Sequence, residues 1–141
     1  MMNVFVYGSL LFPEIAEGLS RQKLEWQDAT LNGYSRLALK GADYPAIIKK
    51  NNSTVKGKVL LNLDKNAIDL LTFYEGDEYK MAAVKVETVS GTINALAFVW
   101  IAGNEFLENY DWSEEQFESE SLAFYRDEVV PATRAEYYKR N

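Results

Sequence analysis

The chain has 141 residues, of which 48% are hydrophobic and 26% charged, a balance that predicts one folded domain over residues 1–141. It contains no cysteine and no histidine, which excludes disulfides, thiol nucleophiles, a histidine base and the commonest metal ligands. The net charge is −6 and basic residues do not cluster, so we expect neither nucleic acid nor an anionic membrane as a partner.

The apolar runs of the sequence are short. The longest, Ala95–Ala102, is too short to span a bilayer. The N-terminus has neither a basic segment nor a long apolar segment of the kind found in signal peptides. These features predict a cytoplasmic protein.

The first predicted element is a buried strand at Val4-Phe5-Val6, a run of β-forming residues. It stops at Gly8, where the backbone can turn sharply or something can approach it closely. The loop Gly8-Ser9-Leu10 therefore has backbone N–H groups that no strand ladder requires, and such groups can bind an anion or a carboxylate. A plain turn that binds nothing is the alternative.

The next predicted elements are a short helix that begins at Pro13 and a β-hairpin whose turn is Asn32-Gly33. Pro45 fits the edge of a sheet or the lip of a loop better than a central strand. The polar residues 49–54 predict a turn.

The middle of the chain predicts a strand over Val55–Leu63, with Gly57 as a candidate bulge. Asp64 is a suitable N-cap for a helix from Lys65 to about Tyr74, because its side chain can accept from an early helical N–H. Gly76 lies just past the end of this helix, where glycine is common.

Two strands, Tyr79–Val89 and Thr92–Ile101, are predicted on either side of the turn Ser90-Gly91. A helix then begins at Ser113 and runs to about Tyr125. Its start carries a capping box and a hydrophobic staple, formed by Ser113 with Gln116 and by Trp112 with Phe117.

A short C-terminal helix is predicted to restart at Pro131. The acidic residues between Glu105 and Glu128 are expected to form a solvated helix face. About six strands with few helices between them predict an α+β fold. A small mixed or antiparallel β-barrel with peripheral helices buries such strands without long free edges.

Glu75 is the candidate for acid–base chemistry. It lies on the same helix face as Ile68 and Leu71, at spacings of seven and four residues, and that face should point to the core. Burial disfavours the charged form of a carboxyl and makes it a candidate for proton transfer. Spacing alone favours the alternative, in which the helix ends one residue earlier and Glu75 reaches solvent or pairs with a lysine.

Four segments, in this order and spacing, resemble the γ-glutamylcyclotransferase-like family. They are Val6-Tyr7-Gly8-Ser9-Leu10, Tyr44-Pro45-Ala46-Ile47, Val55-Lys56-Gly57-Lys58-Val59 and Tyr74-Glu75-Gly76-Asp77-Glu78-Tyr79. The resemblance covers roughly residues 4–101, and Trp112–Tyr125 is similar to the family's aromatic closing helix. It implies a small mixed barrel with peripheral helices.

The resemblance also implies a reaction on a small-molecule γ-glutamyl substrate, in which the substrate's own α-amine attacks its side-chain carbonyl. The products are 5-oxoproline and a free amine. Neither a cofactor nor a metal is required. Glu75 is implied as the catalytic acid and base.

The remaining implied site residues bind substrate. The loop Tyr7–Leu10 receives the γ-glutamyl group, with the N–H groups of Gly8, Ser9 and Leu10 as donors. Tyr7 and Tyr79 shape the pocket and offer hydroxyls. Tyr44 and Pro45 form its lip.

Two departures from the family pattern bear on the substrate. Leu10 stands where the glutathione-degrading branch often has asparagine, and Met81 stands where the family often has a basic residue. An apolar Leu10 is more similar to the γ-glutamylamine cyclotransferase branch. A non-catalytic binding module on the same scaffold is the alternative function, and an interaction protein that uses the acidic helix is a third. The oligomeric state stays open.

Overall fold

Five β-strands form a closed barrel in the computed structural model, which describes residues 1–141. The order around the barrel is β1-β3-β2-β4-β5. β1 pairs in parallel with β5, and every other pair is antiparallel. The predicted α+β mixed barrel is therefore confirmed. The strands are β1 (Met2–Val6), β2 (Glu25–Ala38), β3 (Pro45–Leu63), β4 (Tyr79–Thr88) and β5 (Gly91–Trp100).

The helices lie outside the barrel, as predicted. They are α1 (Pro13–Ser20), α2 (Lys65–Glu75), α3 (Glu114–Glu120), the single turn α4 (Leu122–Phe124) and α5 (Val130–Arg140). The predicted cap of α2 is confirmed, because the Asp64 carboxylate accepts from the Ala67 N–H at 2.8 Å. No helix of the structure has the length and apolar character needed to cross a membrane.

Strand alternation divides the apolar side chains between two clusters. On β1, Phe5 belongs to one cluster, whereas its neighbours Val4 and Val6 belong to the other. Because successive strand residues point to opposite faces, one cluster fills the barrel and the other lies between barrel and helices. The inner cluster includes Phe5, Leu31, Ile47, Val59, Val86 and Ala97, and the outer one includes Ile15 and Leu19 of α1 and Leu71 of α2.

The predicted hairpin turn at Asn32-Gly33 is wrong. Gly33 lies inside β2 with a φ of 84°, at a register shift where Asn32 pairs with Thr54 and Tyr34 pairs with Lys49. The predicted polar turn over residues 49–54 falls within β3, at the same irregularity. The chain reverses later, between Ala38 and Pro45. Because both strands continue past residue 33, their hydrogen-bonded ladder is longer and residues 46 and 47 are buried. The free energy gained in this way outweighs the local preference for a turn.

The predicted bulge at Gly57 is also wrong. Gly57 pairs with Ala29 in regular register. A Cβ atom at this position would lie 2.2 Å from the Val6 carbonyl oxygen on β1. The glycine is therefore required by the close approach of another backbone, which is the second common reason for glycine in a strand.

The predicted helix Ser113–Tyr125 is interrupted at Ser121, whose φ is −126°. A π-helical turn, Tyr125–Val129, then leads into α5, with Pro131 in its first turn as predicted. Phe117 and Leu122 are five positions apart, so a regular helix would place them roughly 140° apart around its axis. The interruption allows both side chains to be buried.

The start of α3 gives a prediction for stability. Ser113 Oγ accepts from the Gln116 N–H at 3.1 Å, and the Trp112 and Phe117 rings are 5.7 Å apart, so the cap and staple are confirmed. We expect Ser113→Ala to lower the free energy of unfolding by about 1 kcal/mol, the usual loss for a helix cap. Urea unfolding measures this change. Ser119→Ala in the same helix is the control, because Ser119 caps nothing at its start, and equal losses in the two variants would contradict the prediction.

Candidate active site

A small cavity opens where the end of β1, the start of β3, the end of α2 and the start of β4 meet. The cavity is partly open, and its volume of about 20 Å³ is room for about one water molecule. A larger ligand therefore requires side chains at the mouth to move. All eight residues predicted from the sequence line this cavity: Tyr7, Gly8, Ser9, Leu10, Tyr44, Pro45, Glu75 and Tyr79.

The loop after β1 presents backbone to the cavity. Residues Ser9–Leu11 form one 3₁₀ turn, in which the Leu11 N–H donates to the Gly8 carbonyl at 2.9 Å. The N–H of Gly8 has no hydrogen-bond partner within the protein. A Cβ atom on Gly8 would lie 2.7 Å from Cδ of Pro45. Glycine is therefore required here by space, because the lip of the cavity packs against the loop.

Glu75 is the last residue of α2 and is half-buried in the wall of the cavity, so the alternative in which the helix ends one residue earlier and the carboxyl pairs with a lysine is wrong. Its carboxyl makes no ion pair and no hydrogen bond within the protein. Burial raises the pKa of this carboxyl from 4.5 to about 8. The carboxyl terminus of a helix also disfavours a negative charge. Glu75 is therefore a mostly protonated acid at neutral pH that can exchange a proton near pH 8.

This raised pKa predicts how stability depends on pH. Between about pH 4.5 and 8 the folded state keeps the Glu75 proton, whereas the unfolded state has lost it. The contribution of Glu75 to the free energy of unfolding is therefore fully present below about pH 4.5. It is lost as the pH rises through 8. Because Gln cannot titrate, the unfolding free energy of wild type relative to Glu75→Gln should fall by up to about 1.4 kcal/mol per pH unit in this window. Denaturant unfolding at several pH values measures the difference, and parallel profiles would contradict the prediction.

Most hydroxyls of the site are already bonded. The Tyr7 hydroxyl donates to the Phe98 carbonyl at 2.5 Å, and the Tyr79 hydroxyl donates to the Pro45 carbonyl at 2.7 Å. Burial, with Glu75 adding to it, raises the pKa of both phenols well above the usual range. Both hydroxyl protons are therefore committed to backbone carbonyls, so the two hydroxyls face the cavity as hydrogen-bond acceptors and not as donors. Tyr44 has no hydrogen-bond partner in the protein.

A family model described as gamma-glutamyl cyclotransferase, AIG2-like, matches residues 4–131. The chain belongs to this family. Among curated relatives, the AIG2-like protein B of Arabidopsis thaliana is 34% identical over 117 residues, which are 82% of this chain and 68% of that protein. The protein AIG2 C of the same plant is 29% identical over 117 residues, which are 82% of this chain and 71% of that protein.

Solved structures have the same fold. The solution structure of an Arabidopsis thaliana protein matches with a TM-score of 0.70 at 26% identity, over 99% of this chain and 84% of that one. A gamma-glutamyl cyclotransferase matches with a TM-score of 0.60 at 18% identity, over 93% of this chain and 86% of that one. An AIG2-like protein from Mus musculus matches with a TM-score of 0.66 at 16% identity, over 82% of this chain and 90% of that one.

In this gamma-glutamyl cyclotransferase family member, the C-terminal segment holds the lip of the cavity. The Trp112 indole N–H donates to the Asp43 carbonyl at 2.7 Å, and the Tyr125 hydroxyl donates to the Asp43 carboxylate at 2.6 Å. The acidic residues of α3 are exposed, so the predicted solvated face is confirmed. The aromatic residues of the same segment, and not its charges, contact the site.

Two residues at or beside the cavity carried no predicted role. Tyr74 lies beside it and shares a hydrogen bond with Ser9 Oγ at 2.7 Å, whereas Phe98 lines it and its carbonyl accepts from Tyr7. The sequence signal for Tyr74 was its place in the segment Tyr74–Tyr79 that resembles the family. Phe98 lies in the middle of β5, where nothing separates it from ordinary barrel residues. The chain contains no group of three or more carboxylates placed to hold a metal ion.

Proposed function

We propose that this protein is a cyclotransferase that releases 5-oxoproline and a free amine from a γ-glutamyl amine or peptide. The observation that carries the proposal is the Glu75 carboxyl, which has no protein partner and a raised pKa and lines the same cavity as the loop at Gly8. A structural glutamate would be expected to pair with a cation or a donor. An unpaired one in a cavity is typical of proton transfer.

The proposed reaction is intramolecular. The ionised form of Glu75 takes a proton from the substrate's α-ammonium, and the free α-amine attacks the δ-carbonyl carbon. A new C–N bond closes a five-membered ring and the carbonyl oxygen becomes an oxyanion. As the original amide C–N bond breaks, Glu75 returns the proton to the departing nitrogen. The ring nitrogen then gives its second proton to the regenerated carboxylate, which passes it to the free amine. Two protons therefore move from the α-nitrogen to the departing amine, so atoms and charge balance and Glu75 ends as a carboxylate.

The groups of this site are sufficient for such a reaction. The nucleophile belongs to the substrate, so no serine, cysteine or metal has to supply one, and ring closure avoids the entropic cost of bringing two molecules together. The unpaired Gly8 N–H is a preorganised donor for a substrate carboxylate or for the oxyanion. Ser9 and Leu10 follow it in the same 3₁₀ turn, and Tyr7, Tyr79, Tyr44 and Pro45 form the walls and lip.

Leu10 and Met81 support the γ-glutamylamine cyclotransferase branch. Leu10 is a buried residue of the loop, and its side chain offers no polar contact to a peptide leaving group. Met81 on β4 is packed against the outer hydrophobic cluster, so it supplies no positive charge.

A screen of γ-glutamyl amines, γ-glutamyl isopeptides and glutathione for 5-oxoproline release tests the proposal. We expect turnover of at least one γ-glutamyl amine, at a higher rate than glutathione. Glu75→Gln is the inactive control. Saturable binding of these compounds without any 5-oxoproline would favour the alternative, a binding module on the same scaffold.

The mechanism predicts that chelators leave the activity intact. The chain has no histidine or cysteine, and its carboxylates form no cluster for a metal. We therefore expect the rate of 5-oxoproline release to change by less than about twofold after dialysis against EDTA, well below the effect of removing a catalytic metal. Loss of activity that one divalent metal restores would refute the metal-independent mechanism.

A further inference from the structure

Arg36 lies behind the loop and bonds to it directly. This residue is on β2, and its side chain is 17% exposed. One guanidinium nitrogen, Nη1, donates to the Tyr7 carbonyl at 2.8 Å. The other two nitrogens hold Asp111, with Nε to Oδ1 at 2.8 Å and Nη2 to Oδ2 at 3.1 Å. The guanidinium also lies over the Trp112 ring, 5.2 Å from its centre.

The Tyr7 carbonyl belongs to the same peptide group as the Gly8 N–H. In a planar trans peptide these two groups point in opposite directions. Because the carbonyl points to Arg36, the N–H points away from Arg36, and it has no partner within the protein while Gly8 lines the cavity. A rotation of this peptide would break the bond to Arg36 and withdraw the N–H from its present direction.

A charged donor on the Tyr7 carbonyl also changes how strongly the Gly8 N–H, on the other side of the same peptide, can donate. Hydrogen bonds in a chain polarise one another, so a guanidinium on the carbonyl makes the N–H of the same peptide a better donor. Arg36 is also the only cation that lowers the pKa of a cavity tyrosine, Tyr7. The other groups whose charge acts on Tyr7, Tyr44 and Tyr79 all raise their pKa; they are the carboxylates of Glu75, Asp43 and Glu78 and the phenols of Tyr7 and Tyr44.

We propose that Arg36 is a positioning residue for substrate binding, which orients and polarises the Tyr7–Gly8 peptide so that the Gly8 N–H binds an anionic oxygen of the substrate. Asp111 in turn fixes the guanidinium, and Trp112 packs against it. Arg36 thereby joins the loop to the segment that holds Asp43 and the lip. The identity of the substrate in this inference rests on the proposed function. The orientation and polarisation of the Tyr7–Gly8 peptide by Arg36 do not.

The test compares Arg36→Gln, Arg36→Lys and Asp111→Asn, with Arg126→Gln as the control. Arg126 forms a similar two-armed pair with Asp127 on the surface, at 2.8 and 2.9 Å, and does not line the cavity. Two quantities are measured for each folded variant: KM and kcat for a γ-glutamyl substrate, and the Gly8 amide resonance by ¹H–¹⁵N NMR without substrate.

For Arg36→Gln we expect KM to rise by about tenfold, the equivalent of one charged hydrogen bond, with a smaller change in kcat. The Gly8 amide proton should shift upfield as its polarisation is lost. Arg36→Lys should be intermediate, because an ammonium can still donate to Tyr7 but cannot hold Asp111 with two arms. Asp111→Asn should show a smaller rise in KM and a smaller shift of the Gly8 resonance than Arg36→Gln, because the hydrogen bond from Arg36 to the Tyr7 carbonyl survives. Arg126→Gln should match wild type in both measurements.

An unchanged KM in Arg36→Gln would overturn the proposal, and so would an unchanged Gly8 resonance. An equal rise of KM in Asp111→Asn while its Gly8 resonance matches wild type would also overturn it, because the loss of binding would then not follow the polarisation of the Tyr7–Gly8 peptide. If Arg36→Gln does not fold, Arg36→Lys decides by the same two readouts. If wild type releases no 5-oxoproline from any γ-glutamyl compound, the proposed function fails, and the Gly8 resonance alone still decides whether Arg36 polarises this peptide.

Discussion

Glu75→Gln should lower kcat by a factor of about 10²–10⁴, the usual contribution of general acid–base catalysis. Glutamine has nearly the size of glutamic acid and is polar, so the fold should survive. Its amide can neither accept the proton of an α-ammonium nor deliver one to a departing amine. KM should change less than kcat, because the loop at Gly8 holds the other end of the substrate. Steady-state 5-oxoproline release measures both constants.

Glu78→Gln is the matched control for this variant. Glu78 lies three residues further along the chain and is exposed, whereas Glu75 lines the cavity. We expect Glu78→Gln to turn over substrate at close to the wild-type rate. If Glu75→Gln is folded and remains within a few-fold of wild type on a confirmed γ-glutamyl substrate, Glu75 is not the base, and the assignment would move to Glu78.

The pH profile gives a second measure of the same residue. Burial raises the pKa of Glu75 to about 8, so its ionised form increases as the pH rises through that value. The base form starts the reaction, and kcat/KM of wild type should therefore rise with pH and level off above about 8, and fall towards low pH. The residual activity of Glu75→Gln should lack this limb. A limb that persists unchanged in the variant would assign the titration to another group.

Gly8→Val should abolish substrate binding at a smaller cost to folding. Any Cβ atom at Gly8 meets the Pro45 ring at 2.7 Å, and a β-branched side chain adds two methyl groups beside the unpaired N–H. Overpacking of this kind costs about 1–3 kcal/mol of stability. Displacement of a binding group by about 1 Å can cost a factor of about 10² in rate, so we expect kcat/KM to fall at least that far. Kinetics and denaturant unfolding of the same preparation measure the two effects.

Pro45→Ala combined with Gly8→Val separates the two effects. Removing the proline ring should restore much of the lost stability, because the ring carries both atoms closest to the new Cβ. It should not restore KM, because the valine side chain still covers the loop backbone. A folded Gly8→Val protein with an unchanged KM would show that the loop is only a turn.

The starts of the helices followed from the sequence because their signals are local. Asp64 caps α2 through an N–H three residues away, and Ser113 caps α3 in the same manner. Both interactions form within one turn of helix and depend little on the remainder of the chain. The same locality applies to the turn at Ser90-Gly91, which joins β4 to β5 as predicted.

Two of the wrong predictions concern glycines, Gly33 and Gly57, whose reason lies far away in the chain, whereas the close approach expected at Gly8 is found. Gly33 has the positive φ expected of a turn, but pairing with β3 places it inside a strand. Gly57 is required by the carbonyl of Val6 and Gly8 by the ring of Pro45. The sequence shows that such a position is a glycine. It does not show which distant atom occupies the space that a side chain would need.

The sequence by itself determined the fold class and the starts of the helices, because patterning and caps are properties of neighbouring residues. The resemblance of its ordered motifs to a known family named eight residues that the structure brings to one cavity. Only the tertiary structure decided the state of those residues. It left the Glu75 carboxyl unpaired with a raised pKa, committed the Tyr7 and Tyr79 hydroxyls to the backbone, and placed Arg36 behind Gly8. Burial and hydrogen bonding between residues 29 or more positions apart depend on barrel closure, which no local pattern encodes.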